Sequence, residues 1–193
     1  MVIRDPGNDE TRLVAAARKG NRVATEVLIQ RSEPVVARTV IGMLGPGPDA
    51  EDTGQEAMVR FLRSLDRFEG SAGLKTYVTR IAMNASLDAL RRRKTFLRRF
   101  AQSASATGDA VALEDLPDKT DQAADLESRQ LLLTALGKLK PDFRSVLVLR
   151  ELHGYTTEEV AEIMNIAQGT VLSRLARGKA QLATLLKGYI GND

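Results

Sequence analysis

Asp49, Asp52, Gln55 and Glu56 gather carboxylates and an amide on one helical stretch, groups suited to meeting a basic partner helix. Further along, Arg91, Arg92, Arg93 and Lys94 form an unbroken run of cations, and six of the nine residues from Arg91 to Arg99 are basic. Cations at a helix C-terminus complement its dipole. Four in succession point around the whole circumference, and neutralisation of phosphates accounts for them better. Between the two groups lie Asn84, one turn from both Arg80 and Asp88, the loop Phe68–Gly73 with its small residues Ser71 and Ala72, and Tyr77. A side-chain amide donates and accepts together, which suits the edge of an exposed base. Small side chains let a base approach backbone amides, and a tyrosine ring can stack on one. A lone helical Asn is more often simply solvated, so the reading rests on the set.

A second polar face lies near the C-terminus. Thr156-Thr157-Glu158-Glu159 reads as a capping box that opens a helix with Val160, Ala161 and Met164 inward. Asn165 tolerates the left-handed conformation of a tight turn, and Ile166 anchors that turn. A second helix from Gln168 turns Val171, Leu175, Leu182 and Leu185 inward. Two short helices, a small residue at their crossing and a brief turn describe a helix-turn-helix. Gln168, Gly169, Thr170, Ser173, Arg174 and Arg177 then lie on or near its outward surface, with the positive end of the helix dipole facing phosphates. Thr, Ser and Gln can bond base edges or backbone, and Arg can do either. Glu158, Glu159 and Glu162 on the preceding helix predict weak affinity by this module alone, with a partner supplying the rest. A plain helical hairpin with a solvated face is the alternative.

Composition removes most other chemistry. The chain has no cysteine, which excludes disulfides, thiolate metal sites and a cysteine nucleophile. Its one histidine, His153, makes a histidine-based metal site or triad improbable. There is no nucleotide-binding loop and no carboxylate–histidine cluster, so neither an enzyme nor a cofactor is expected. No apolar run approaches the ~18 to 20 residues that span a bilayer, and the polar start MVIRDPGNDE is not a secretory signal. A cytosolic protein without membrane insertion is the expectation.

The elements that must position these groups are helices. Before Thr95 the pattern breaks near Gly20-Asn21, around Ser32–Pro34 and at Gly45-Pro46-Gly47-Pro48, with a last helix over about Lys75 to Arg93. Ala57, Met58, Phe61, Leu62 and Leu65 make an apolar stripe behind the acidic face. Residues from Thr95 to about Asp125 are rich in Ala, Ser, Asp and Thr, lack a sustained period, and read as an irregular linker. Charge follows the same division. Residues 1–100 carry net +6, residues 101–124 net −4, and residues 125–193 net +1. The predicted fold is all-α: a helical domain over 1–94, a flexible linker over 95–125, and a C-terminal helix-turn-helix domain over 126–193.

Taken together, the chain resembles the extracytoplasmic-function (ECF) sigma factors of bacterial RNA polymerase. The stretch Asp49 to Glu56 resembles their helix that binds the clamp helices of the large polymerase subunit. Leu65-Asp66-Arg67-Phe68, the small-residue loop and Thr76 to Asn84 resemble their promoter-melting and minus-ten segment. Leu136 to Leu139, Pro141, Arg144 and Val146 to Leu152 resemble the start of their C-terminal domain, and Gly154 to Leu175 its helix-turn-helix. The resemblance implies core polymerase, promoter DNA and a cognate anti-sigma factor as partners. Phe68, Ser71, Ala72, Tyr77, Arg80, Asn84 and Arg91–Lys94 would serve the minus-ten element, and the Gln168–Arg177 face the minus-thirty-five element. Two positions depart from the family: Tyr77 stands where Trp is usual, and Leu172 where many members carry Lys or Arg. A conventional helix-turn-helix repressor or activator, using residues 10–94 to dimerise or sense a ligand, is one rival reading, and an anti-sigma-binding mimic that has lost promoter recognition is the other.

Overall fold

Breaks in the helical pattern set the element boundaries. The computed structural model describes residues 6–69, 73–103 and 121–190, and no strand occurs among them. Helix α1, Pro6–Arg18, stops before Gly20, whose φ of +82° lies in the left-handed region. Helix α2, Arg22–Leu44, is opened by Asn21, which accepts the Ala24 N–H at 3.1 Å. Helix α3, Pro48–Ser64, has proline in its first turn, where no N–H is missed. A 3-10 turn, Leu65–Arg67, leads toward helix α4, Leu74–Ser103. Helices α5, Asp121–Lys138, and α6, Pro141–Leu147, follow, and α6 runs into a π-helical turn, Val148–Leu152. Helices α7, Thr157–Met164, and α8, Gln168–Ile190, form the helix-turn-helix.

Three boundaries differ from expectation. Helix α2 is continuous through Pro34 rather than interrupted around Ser32–Pro34. Pro34 and Gln30 are both exposed, so water can satisfy the carbonyl that lost its partner, while buried Ser32, Val36 and Val40 hold the flanking turns against the core. Helix α4 continues past Thr95 to Ser103, so the first part of the expected irregular linker is helix, built from good formers such as Leu97, Arg98 and Arg99. Helix α5 begins at Asp121, before Leu126. Residues 104–120 lie outside the described residues.

Apolar burial divides into three clusters. In the first, α1 to α4 pack around Leu28, Val40, Ala57, Phe61, Val78 and Ala82. The third joins Leu136, Leu139 and Leu147 to Leu175 and Leu182, tying α5 and α6 to α8. A Cβ at Gly178 would meet Leu147 Cδ1 at 3.1 Å, so glycine there lets α8 close on α6. The second cluster crosses between the two units: Met43 of α2 and Met83 of α4 share it with Val146, Val148, Leu149, Tyr155, Val160, Ile163 and Val171.

Candidate functional site

The acidic and basic groups of the N-terminal unit form one ladder. Glu56 Oε1 accepts from Arg60 at 2.6 Å and Oε2 from Arg92 at 3.0 Å. Arg60 continues to Asp88 at 3.2 Å, and Asp88 also accepts from Arg91 at 3.1 Å. Arg93 lies 3.7 Å from Asp49. The Arg92 hydrogen bond, together with Arg60, holds the Glu56 carboxyl below the usual carboxylate range despite partial burial. α3 and the second half of α4 therefore present a continuous, alternating surface. Asp52 and Gln55 stand exposed on it, with no ion pair at Asp52 among the described residues. Beside it opens a groove of about 880 Å³ lined by Leu44, Asp52, Leu90, Arg93, Phe96 and Leu97. Lys94 is exposed one residue beyond Arg93.

On the preceding turns of α4 the predicted residues divide. Asn84 is exposed, and buried Met83 and Ala85 on either side of it fix the register that points it outward. Phe68 is buried at 6% exposure and meets the Tyr77 ring edge-on at 5.0 Å, so it shapes the loop from the core instead of presenting a face to a base. Tyr77 is half-buried, and its hydroxyl donates to the Ser64 carbonyl at 3.1 Å. Arg18 binds the carbonyls of Leu65 and Phe68, which fixes the entry to the loop. Ser71 and Ala72 lie outside the described residues. Arg80, half-exposed, pairs with Glu162 of α7 at 3.1 Å.

The helix-turn-helix has the local chemistry expected of it. Thr156 Oγ1 accepts the Glu159 N–H at 3.2 Å, and Glu159 returns a bond to the Thr156 N–H at 2.7 Å. Asn165 adopts φ 52°, ψ 52°, and the Ile166 N–H closes the turn on the Ala161 carbonyl at 3.0 Å. Gln168, Gly169, Ser173 and Arg177 are exposed at the start of α8, with Thr170 half-buried beside them. Leu172 is 55% exposed on the same turns. Arg174 is the exception: it is half-buried and pairs with Asp142 of α6 at 3.2 Å, a position that braces α8 against its neighbour.

Several residues escaped sequence reasoning. Arg144 is buried, with no carboxylate partner among the described residues. It donates to Leu139 O at 2.9 Å and to the carbonyls of Gly137 and Met43, so one guanidinium serves the last turns of both α5 and α2. Thr39 Oγ1 lies 2.9 Å from His153 Nε2 and donates its own proton to Val35 O at 2.8 Å. A hydroxyl has one proton to give, so with that proton on Val35 O the Thr39 oxygen accepts from His153 Nε2. By the same logic Tyr155 donates to Thr79, at 2.8 Å, because Thr79 already donates to Lys75 O. The available signal was an arginine and a histidine standing beside apolar residues, Val146 to Leu149 for the one and Leu152 for the other.

Comparison with known proteins places the whole arrangement. Residues 28–96 match Sigma-70 region 2 and residues 129–182 match Sigma-70 region 4. The chain is 32% identical over 181 residues to the ECF RNA polymerase sigma factor SigM of Mycobacterium tuberculosis, covering 94% of this chain and 86% of that one. It is 32% identical over 170 residues to the ECF RNA polymerase sigma-E factor of Escherichia coli, covering 86% and 88%. Among solved structures, CnrH in complex with the cytosolic domain of CnrY shares the fold with a TM-score of 0.63 at 24% identity, over 91% of this chain and 96% of that one. The sigma factor RpoE from Bartonella quintana, in complex with the anti-sigma factor NepR, also gives 0.63 at 24% identity, over 82% and 94%. With both conserved regions in order and relatives matched along most of their length, this chain belongs to the ECF RNA polymerase sigma factors.

Proposed function

We propose a division of labour for this sigma factor in promoter-specific initiation. Asp49, Asp52, Gln55 and Glu56 on α3 receive a basic helix of a large subunit of core RNA polymerase. Asn84, with the loop before α4, takes a base of the minus-ten non-template strand, while Arg80 and Arg91–Lys94 neutralise the adjoining phosphates. Extruding a base costs a few kcal/mol, which stacking and hydrogen bonds in the pocket must offset. Gln168, Gly169, Thr170, Ser173 and Arg177 hold the minus-thirty-five duplex from its major groove, and Arg174 positions α8. The N-terminal unit spans 1–94 and the C-terminal unit 126–193, with the connection between them. The chain works in the cytoplasm, and a cognate anti-sigma factor is its third partner. The Bartonella quintana relative bound to NepR supports that assignment. No helix among the described residues is long and apolar enough to cross a membrane.

The observation that carries the minus-ten assignment is Asn84: exposed, polar and set between two buried neighbours on the helix that follows the loop. Run-off transcription with reconstituted holoenzyme tests it. Asn84→Ala impairs open-complex formation by different factors at promoters that differ in the minus-ten sequence, and a premelted template restores part of the activity. Equal loss at every minus-ten substitution, or no loss, places the base reader elsewhere.

A further inference from the structure

One residue on the outward turns of α8 has no polar chemistry to offer. Leu172, the fifth residue of the helix, is 55% exposed and is the one large apolar side chain exposed on α8 among the described residues. Val171 and Leu175 already pack these turns against the core, so Leu172 is not needed there. At 3.6 residues per turn its neighbours on the helix surface are Gln168, Gly169 and Ala176. All three are exposed, as are Ser173 and Arg177 further round. A Cβ at Gly169 would meet nothing within 4 Å. The middle of the outward face is thus built of small residues, Gly169, Ser173 and Ala176, with Leu172 on one flank and Arg177 on the other. That profile lets the helix lie close to the floor of a groove, within reach of a leucine side chain.

The polar groups around it are partly committed. Ser173 Oγ donates its proton to Thr170 O at 3.0 Å, which leaves that oxygen as an acceptor, and Arg174 is held by Asp142. Leu172 neither donates nor accepts. In the major groove every base edge presents hydrogen-bonding atoms, and thymine alone adds an apolar group, its 5-methyl. Against guanine, adenine or cytosine a leucine displaces water from polar atoms and returns no hydrogen bond, which costs affinity. Against thymine it covers a methyl. A protein partner is the poorer fit: the core of such an interface is a contiguous apolar cluster, and Leu172 stands among Gln168, Gly169, Ser173 and Arg177 with only the methyl of Ala176 beside it.

We propose that Leu172 is a specificity-determining residue: it packs on the 5-methyl of a thymine in the minus-thirty-five duplex and rejects the other three bases at that place. The proposal rests on the reading of α8 as the minus-thirty-five reader. It divides the outward face into two kinds of contact. Leu172 supplies an apolar one that depends on the base, and Arg177 supplies phosphate neutralisation that does not.

The test uses the full chain assembled with core polymerase. Templates carry a premelted bubble at the minus-ten position and a randomised duplex upstream, so that selection falls on the upstream contact. The wild type selects an element with a thymine at one place. Leu172→Ala loses that preference, keeps the rest of the element, and melts at the same temperature because the side chain is exposed. Deoxyuridine in place of that thymine removes only the methyl. It weakens wild-type binding about fourfold, as expected for one methylene-sized group at about 0.8 kcal/mol, and leaves binding by Leu172→Ala unchanged. 5-Methylcytosine at the same place binds the wild type more tightly than cytosine does. Deoxyuridine that is silent at every thymine of the selected element overturns the proposal. So does a Leu172→Ala loss that is equal for all sequences, the mark of a contact with sugar or of a structural role. So does a variant that selects and binds DNA as the wild type does; if it then fails to bind an anti-sigma factor, Leu172 belongs to a protein surface instead. A selected element that ignores the methyl sinks Leu172 alone. A wild type that selects no upstream sequence, with Arg177→Ala leaving the salt dependence of binding unchanged, sinks the reading of α8 itself.

Discussion

Acid should loosen this protein through a single imidazole. His153 is the chain's one histidine, 7% exposed, with Nε2 bonded to Thr39 of α2 and its ring stacked 5.7 Å from that of Tyr155. Burial first, then the positive charges of Lys75 and Arg38, lower its pKa from 6.5 to about 4. The folded value lies below that of any state that frees the ring, so the freed state takes up the proton first. The stabilising contribution is therefore intact above the ordinary value, declines as pH falls through it, and is exhausted near the folded value. Between pH 7 and pH 5, linkage gives a loss of about 2 kcal/mol, roughly thirtyfold in the equilibrium between native and freed states. Glu56 works in the other window: its lowered pKa contributes stability above the ordinary carboxylate value, lost only as pH falls below it, so it adds little here. Urea unfolding at pH 7 and pH 5 is the assay, run on the wild type and on His153→Gln, which keeps a donor for Thr39 and does not titrate. The variant should lose less than a quarter of what the wild type loses. A native imidazole whose proton NMR shift titrates near 6.5, or identical pH dependence in the two proteins, refutes both the buried neutral ring and the packing that buries it.

Three other outcomes are expected. Asp52→Arg weakens capture by core polymerase in a pull-down with no change in melting temperature. Glu56→Arg weakens capture and also lowers the melting temperature, because it removes two surface ion pairs worth about 0 to 1 kcal/mol each. Gly169→Ala stabilises the chain by up to about 1 kcal/mol, since a Cβ there meets nothing. The same change weakens minus-thirty-five binding if DNA backbone approaches that glycine, so chemical denaturation and filter binding should move in opposite directions. Arg177→Ala lowers the salt slope of upstream DNA binding by ~1 across sequences, whereas Arg174→Ala, already paired with Asp142, leaves that slope within error and perturbs the packing of α8.

What could be read from the sequence was whatever local chemistry decides. The Thr156–Glu159 capping box and the left-handed Asn165 follow from side chains within a few residues, and both appear where the pattern put them. The stripe Ala57, Phe61, Leu65 likewise announces a buried face by its spacing alone. Pro34 misled because its local penalty is real, yet tertiary packing of Ser32, Val36 and Val40 outweighs it. Phe68 was given a base-facing role by resemblance and Arg174 an outward one by its place on the helix, but each is claimed by a neighbour that no periodicity identifies: Tyr77 for the one, Asp142 for the other. The packing of the two units on each other was not legible for the same reason: Met43, Met83 and Val148 are apolar, but nothing in the sequence says that they face one another.

Glu56 is a shared acceptor, and sharing has a thermodynamic consequence. Its two oxygens already serve Arg60 and Arg92, so a cation brought by another molecule competes with internal ones. A basic helix that takes Glu56 releases Arg92 toward solvent, where a phosphate can meet it. A phosphate that takes Arg92 leaves Glu56 less neutralised and more receptive to a foreign cation. Two ligands of opposite charge on this ladder are positively cooperative, and reciprocity requires that each raise the affinity of the other by the same factor. No helix has to move for this to happen; an exchange of partners among surface charges is enough to make the two bindings cooperative.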